Sequence, residues 1–199
     1  EGVYNTRTKE FTYYKNVKLV NKKYTLTTDT LLYNSITKWS YFNGKTKIVN
    51  KDGTVVATKG QYNTESTQSA FHTRTTVDNE TYTLTADSLV VDGKSNDGKG
   101  KGNVVIVAKK DKTVLNGDEG YYWKTKGYSK IFGHAYVRNV VSEDTLYIRA
   151  DTLYSFENSR DSTRKLIGDR NVFIYKSDFQ GKCDSITYNT ADSVIRFFR

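Results

Sequence analysis

The stretch Tyr82-Thr-Leu-Thr-Ala-Asp-Ser-Leu-Val-Val91 decides how this chain is read, because it is written three times. Tyr24-Thr-Leu-Thr-Thr-Asp-Thr-Leu-Leu-Tyr33 precedes it and Leu146-Tyr-Ile-Arg-Ala-Asp-Thr-Leu-Tyr-Ser-Phe156 follows it. A second pattern recurs along the chain. A small or polar residue leads into alternating apolar positions at Asn16-Val17-Lys18-Leu19, Lys45-Thr46-Lys47-Ile48, Asn103-Val104-Val105-Ile106, His134-Ala135-Tyr136-Val137 and Asn171-Val172-Phe173-Ile174. Gly44, Gly102 and Gly133 stand directly before three of these copies.

Alternation with period two is the signature of a strand with one buried side. In the second pattern the inward set is Val17/Leu19, Thr46/Ile48, Val104/Ile106, Ala135/Val137 and Val172/Ile174, with lysine between them in two copies. In the first pattern Leu26/Thr28, Leu84/Ala86 and Ile148/Ala150 share one parity, and Asp29, Asp87 and Asp151 take the other. The acids therefore face away from the lining. Their recurrence at equivalent places argues for a repeated structural task, capping a bend or accepting a neighbouring backbone N–H, rather than for a catalytic carboxylate pair.

Composition agrees with strands. Thr, Val, Tyr, Ile and Phe are abundant, with 16 Tyr and 9 Phe, and these types suit a pleated surface. The pairs Asn43–Gly44, Asp52–Gly53, Asp92–Gly93, Asn116–Gly117 and Gly168–Asp169 read as turns between antiparallel strands. The expected fold is all-β, with about 14 to 16 stacked antiparallel strands at a spacing near ten residues. Asp92–Gly102 reads as a flexible basic loop, and Gln61–Gln68 and Glu157–Lys165 as further long loops. At 199 residues a single domain is expected over 1–199. A start at Glu1 with no methionine suggests a trimmed segment of a longer protein whose targeting signal has been removed.

Several chemistries find no support in these residues. One cysteine, Cys183, rules out an internal disulfide framework, and two histidines make a Cys/His zinc cluster implausible. His72 and His134 sit in strand-like alternation without a G-x-S-x-G nucleophile elbow, so both read as structural. The Asp92–Gly102 segment places Lys94 at a would-be calcium-ligand position and Asn103 where a closing Glu belongs. No cofactor or metal is expected. The formal charge of +9 favours a polyanionic partner: nucleic acid, anionic membrane or phosphorylated glycolipid. Tyr121–Tyr128 and Arg196–Arg199 interleave aromatic and basic residues in the manner of single-strand nucleic-acid binders, without an accompanying oligonucleotide-binding signature.

Taken together, Gly133-His-Ala-Tyr-Val, then Asp144-Thr-Leu-Tyr-Ile-Arg-Ala-Asp151-Thr-Leu-Tyr154, with Gly102-Asn-Val-Val-Ile, Gly117-Asp-Glu-Gly-Tyr-Tyr and Gly181-Lys-Cys-Asp-Ser-Ile-Thr-Tyr188, resemble the OstA-like, LptA-type lipopolysaccharide-transport family. Tyr24–Tyr33 and Gly60–Thr64 look most like the Bacteroidetes-type variant. The resemblance implies an open β-jelly roll and a non-enzymatic periplasmic carrier or bridge, associated with inner or outer membrane components. Acyl chains would be shielded by Leu26, Leu84, Val104, Ile106, Val137, Ile148 and Ile174, with Lys99 and Lys101 meeting lipid phosphates. Expected partners are lipopolysaccharide or lipid A and other lipopolysaccharide-transport proteins, joined end to end by strand pairing, with self-association left open and nucleic acid not expected. A structural or protein-binding β-scaffold that never holds lipid is the alternative.

Overall fold

The computed structural model describes residues 1–20, 22, 24–109, 113–141, 144–157, 164–189, 191–192 and 194–199. One 16-stranded antiparallel sheet runs through it in chain order, and no α-helix occurs among the described residues, where one 3-10 turn covers Lys124–Lys126. The strands are β1 (Gly2–Asn5), β2 (Glu10–Val20), β3 (Tyr24–Asn34), β4 (Trp39–Asn50), β5 (Gly53–Asn63), β6 (Gln68–Phe71), β7 (Thr75–Asp78) and β8 (Tyr82–Ala86). They continue with β9 (Ser88–Asp92), β10 (Asp97–Ala108), β11 (Val114–Trp123), β12 (Tyr128–Val141), β13 (Asp144–Glu157), β14 (Arg164–Lys176), β15 (Phe179–Asn189) and β16 (Val194–Phe198). β6 and β7 form one broken rung, and β8 and β9 the next, since β6 pairs with β9, β7 with β8, and β10 with both β8 and β9.

Nearly every long strand changes register at its middle. Extra residues fall at Lys15–Asn16 in β2, Gly44–Lys45 in β4, Gly102–Asn103 in β10, Gly133–His134 in β12 and Arg170–Asn171 in β14. Lys15, Asn16, Gly44, Gly102, Asn103, Gly133, His134, Arg170 and Asn171 all have positive φ. Such bulges bend and twist a strand. Each rung is thereby divided into two arms, and the arms pack on each other: Val104 and Ala135 beyond the bulge share a core cluster with Ile131, Leu153 and Ile186 before it.

The recurrent aspartates hold this corner. Asp29 accepts the Lys45 N–H at 3.0 Å, as expected of an acid that bonds a neighbouring backbone. Asp87 accepts the Asn103 side-chain amide at 2.7 Å, Asp151 accepts that of Asn171 at 3.0 Å, and Asp118 pairs with His134 Nδ1 at 2.8 Å. At the broken rung the Arg74 guanidinium donates both to Asp87, at 2.7 Å, and to the Asn103 carbonyl, at 3.0 Å. On β5 no acid is present, and Thr73 Oγ accepts the Thr58 and Lys59 amides instead.

Several sequence expectations need correction here. Asn43–Gly44, Asn116–Gly117 and Gly168–Asp169 are not hairpins; they lie inside β4, β11 and β14 at or beside the corner. Glycine also serves a bulge, with positive φ at Gly44, and close packing, at Gly117 and Gly168, so the dipeptide alone does not mark a tight turn. Asp52–Gly53 and Asp92–Gly93 do mark chain reversals. Most of Asp92–Gly102 is not a loop but the start of β10, paired on both sides. Its glycines fit closely: a Cβ on Gly100 would meet Ala86 and Val104 at 3.3 and 3.4 Å. Between Gln61 and Gln68 only residues 64–67 lie outside strands, and the centre of Glu157–Lys165 lies outside the described residues. His72 stands in the break between β6 and β7 rather than in a strand, with its N–H bonded to the Lys59 carbonyl.

The true reversals on the first arm, the side of the corner that holds Leu31, Phe42, Phe71 and Leu89, carry a repeat that the alternation did not expose. Asn5, Asn34, Asn63 and Asp92 recur every 29 residues, and each is followed by a four-residue turn. Each side-chain oxygen accepts two amides two and three residues ahead, for example Ile36 and Thr37 on Asn34, both at 3.0 Å. Successive turns stack through Ser35 N–H to the Lys9 carbonyl, Thr64 N–H to Lys38 and Gly93 N–H to Thr67. These Asx turns satisfy backbone groups that a hairpin end would otherwise leave to water.

Two expectations follow. Gly102→Val puts a branched side chain at φ +76 with its Cβ 2.6 Å from Asp87 Oδ2, and should cost about 1–3 kcal/mol in urea unfolding. Gly98→Ala, where the nearest atom to the new Cβ is 3.8 Å away, should be neutral or mildly stabilising. The second concerns acid. A hydrogen bond from Ser177, then the Thr145 amide, lowers the Asp144 carboxyl to about 2, and Arg74 then Asn103 lower that of Asp87. A depressed folded pKa stabilises the fold above the unfolded value of about 4 and is lost as pH falls through the folded one. Asp144→Asn should therefore flatten the decline of the unfolding midpoint between about pH 4 and pH 2.

Candidate functional site

Register carries the inward residues of the second arm into continuous rows. Next to the corner stand small side chains: Thr28, Thr46, Ala57, Thr75, Ala86, Val104, Gly117, Ala135, Ala150, Val172 and Cys183. One step further out runs an aliphatic row. Its pairs are Leu19 with Leu26, Leu26 with Ile48, Ile48 with Val55, Val55 with Val77, Val77 with Leu84, and Leu84 with Ile106. It continues as Ile106 with Leu115, Leu115 with Val137, Val137 with Ile148, and Ile148 with Ile174, ending at Gly181.

Six of the seven expected lining residues, Leu26, Leu84, Ile106, Val137, Ile148 and Ile174, thus fall on a single row, and Val104 is one step nearer the corner. Leu19, Ile48, Val55, Val77 and Leu115 complete the row and were not singled out as site residues. Leu19 and Ile48 were already inward-facing in the second pattern, whereas Val55, Val77 and Leu115 lie outside the conspicuous motif copies, with a signal only in local alternation such as Val55-x-Ala57 and Leu115-x-Gly117.

The first arm faces this row with bulky residues near the corner, Leu31, Phe42, Phe71, Leu89, Ile131, Leu153 and Ile186, separated by Gly60, Gly100, Gly120 and Gly168. Large residues on one arm meet small ones on the other, so the corner is densely filled. Towards the hairpin ends a rim row alternates Tyr33, Tyr62, Tyr122 and Tyr188 with residues such as Ser40, Ser69, Gly98 and Ser129. Tyr24 of the second arm meets Tyr62 of the first edge-on, with ring centroids 5.2 Å apart.

Burial falls from the corner outwards. Val104 is 1% exposed, whereas Ile106, two residues further along β10, is only partly buried. Leu84, Ile48, Val55, Val77, Leu115 and Leu146 are likewise half-buried. Leu26, Val137, Ile148 and Ile174 are covered by the protein's own packing. On the inward face, the accessible apolar surface is therefore the partly buried members of the aliphatic row together with the tyrosine rim.

Lys99 and Lys101 lie on the other side of the sheet. Each ammonium is 3.7 Å from a Glu119 carboxylate oxygen; Lys99 also sits over the Tyr121 ring at 4.9 Å, and a side-chain hydrogen bond with Tyr121, then the charge of Glu119, raise its pKa. Tyr121 stacks on Trp123 and Phe132, and Lys130 covers Phe132 and Tyr154, so the Tyr121–Tyr128 stretch builds an aromatic and basic ladder on the outer face. At the last rungs Phe197 turns inward and meets Phe179 of the opposite arm at 6.0 Å. Cys183 is buried in β15, and burial pushes its thiol pKa up.

Comparison with known proteins agrees with this architecture. A family model described as OstA-like protein matches residues 1–29 and 23–87. The crystal structure of LptH, the LptA-homologous periplasmic component of the conserved lipopolysaccharide transport device of Pseudomonas aeruginosa, superposes with a TM-score of 0.50 at 18% identity, covering 59% of this chain and 82% of that one. No curated protein matches the sequence. The N-terminal residues 1–87 are thus similar to OstA-like proteins, and the chain shares the LptA-type open β-jelly-roll fold.

Proposed function

We propose that this chain is a non-enzymatic, periplasmic lipopolysaccharide-transport protein, a carrier or bridge that holds lipid acyl chains in the groove between its two arms. The observation that carries the reading is the unbroken aliphatic row from Leu19 to Ile174, only partly buried at Leu19, Ile48, Val55, Val77, Leu84, Ile106 and Leu115. Apolar surface withdrawn from water there is worth about 25 cal/mol per Å², or about 0.8 kcal/mol per methylene. A few acyl carbons per rung would hold a lipid in place. The fold of a periplasmic transport component and the OstA-like match support the same assignment. The whole chain would act as one domain, a segment of a longer protein, with lipopolysaccharide or lipid A and other transport proteins as partners.

A second reading has one observation in its favour. Much of the row, Leu26 and Ile174 included, is already covered by the opposite arm, as in a scaffold that presents strand edges and holds no lipid. Titration with fluorescent lipopolysaccharide separates the two. Saturable binding displaced by unlabelled lipid A, and not by oligonucleotide, is expected of a carrier. A folded chain that shows no binding would overturn the carrier reading.

Leu84→Asp with Ile106→Asp charges the accessible edge and should weaken binding by at least about tenfold. Lys99 and Lys101 would meet a lipid phosphate only from the outer face. Lys99→Ala with Lys101→Ala should therefore weaken lipopolysaccharide binding by less than the groove variant, and more at low salt than at high salt.

A further inference from the structure

Among the described residues one buried side-chain polar atom has no hydrogen-bond partner, the hydroxyl of Ser40. Ser40 is 2% exposed and lies on the inward face of β4, in register with Tyr33 on one side and Tyr62 on the other. Phe42, its inward neighbour towards the corner, belongs to the N-terminal core cluster.

Other buried hydroxyls are provided for. Thr28 and Thr46 bond each other at 2.7 Å, Thr46 reaches the Gly44 carbonyl at 3.0 Å, and Thr75 reaches that of Thr73 at 2.7 Å. An unpaired buried hydroxyl is a standing cost that an alanine would avoid, and such groups in native proteins call for an explanation. Burial has also raised the pKa of the adjoining Tyr62, whose ring carries the edge of Tyr24 across the groove. Ser40 is therefore an unsatisfied polar point between Tyr33 and Tyr62 on the inward face, beside the apolar Phe42. The group it suits is a lone hydrogen-bond acceptor borne on an apolar chain.

We propose that Ser40 donates its hydroxyl to the carbonyl of a lipid acyl ester, which enters as Tyr24 and Tyr62 part, and so sets the depth at which the chain lies in the groove. The proposal rests on the lipid-binding reading and adds a chemical selectivity that the aliphatic row cannot supply. An alkyl ether of the same length buries the same hydrocarbon but lacks the carbonyl.

The test uses 1-palmitoylglycerol and its ether analogue 1-hexadecylglycerol as competitors of fluorescent lipopolysaccharide, on the wild type and on Ser40→Ala. The wild type should bind the ester about fivefold more tightly than the ether, the worth of one ordinary hydrogen bond. Ser40→Ala should lose that preference by weakening towards the ester alone, while its thermal unfolding midpoint stays equal or rises. Equal binding of ester and ether by the wild type, or a preference that survives in Ser40→Ala, would overturn the role of Ser40 and leave the groove assignment standing. If neither lipid competes with the wild type and labelled lipopolysaccharide does not bind, the groove assignment falls and takes this one with it.

Discussion

A single local device, the aspartate that ties the left-handed residue pair of the adjoining strand, sets the shape of the molecule. Without a corner the strands would form a flat ribbon with one greasy face open to water. The bulge supplies the bend by inserting a residue, and Gly or Asn supplies the positive φ at low steric cost. Asp29 then accepts a backbone N–H beside the interrupted ladder, while Asp87, Asp118 and Asp151 hold the side chains of the left-handed residues Asn103, His134 and Asn171. Because the device recurs on successive pairs of rungs, the bends align and the two arms close on each other along the whole stack.

Alignment of the corners makes the interior a matter of rows rather than of individual contacts. Small residues of one arm face bulky residues of the other, and glycine stands where two bulky neighbours would collide. At Gly117 an added Cβ would lie 2.6 Å from Ile131, and at Gly168 2.8 Å from Ile186. Away from the corner burial falls, so that Leu84 and Ile106 are only partly covered, and Tyr24 of one arm meets Tyr62 of the other. A row of branched aliphatic residues offers no direction to a ligand lying along it. Polar groups such as the Ser40 hydroxyl are the features able to distinguish one apolar chain from another.

The outer face follows a different logic. Lysines there lie over Tyr121, Phe132, Tyr154 and Phe173, and Glu119 serves two lysines at once. These side chains lend their hydrocarbon stems to cover exposed rings, while the charged ends stay in water. The aromatic and basic stretch that suggested base stacking is therefore in large part a strand exterior that covers itself, although its positive charge remains available to anions.

Alternation in the repeated motifs determined much of this protein in one dimension: strands throughout, the inward parity of Leu26, Leu84, Ile106, Val137, Ile148 and Ile174, and the outward, structural place of the acids. These properties depend on the two-residue period of a strand and need no partner to be stated. Register, which brought those six residues onto one row and added Ile48, Val55, Val77 and Leu115, depends on how each strand pairs with its neighbours. Whether Asn43–Gly44 makes a hairpin or a corner also lay beyond local sequence, because the same left-handed backbone serves both, and pairing on either side selects between them. The glycines of Asp97–Lys101 read as a loop until β9 and β11 flanked them. Burial is the last property to emerge, since it measures how closely the opposite arm approaches: that distance leaves Ile106 half-exposed and covers Val104, two residues away.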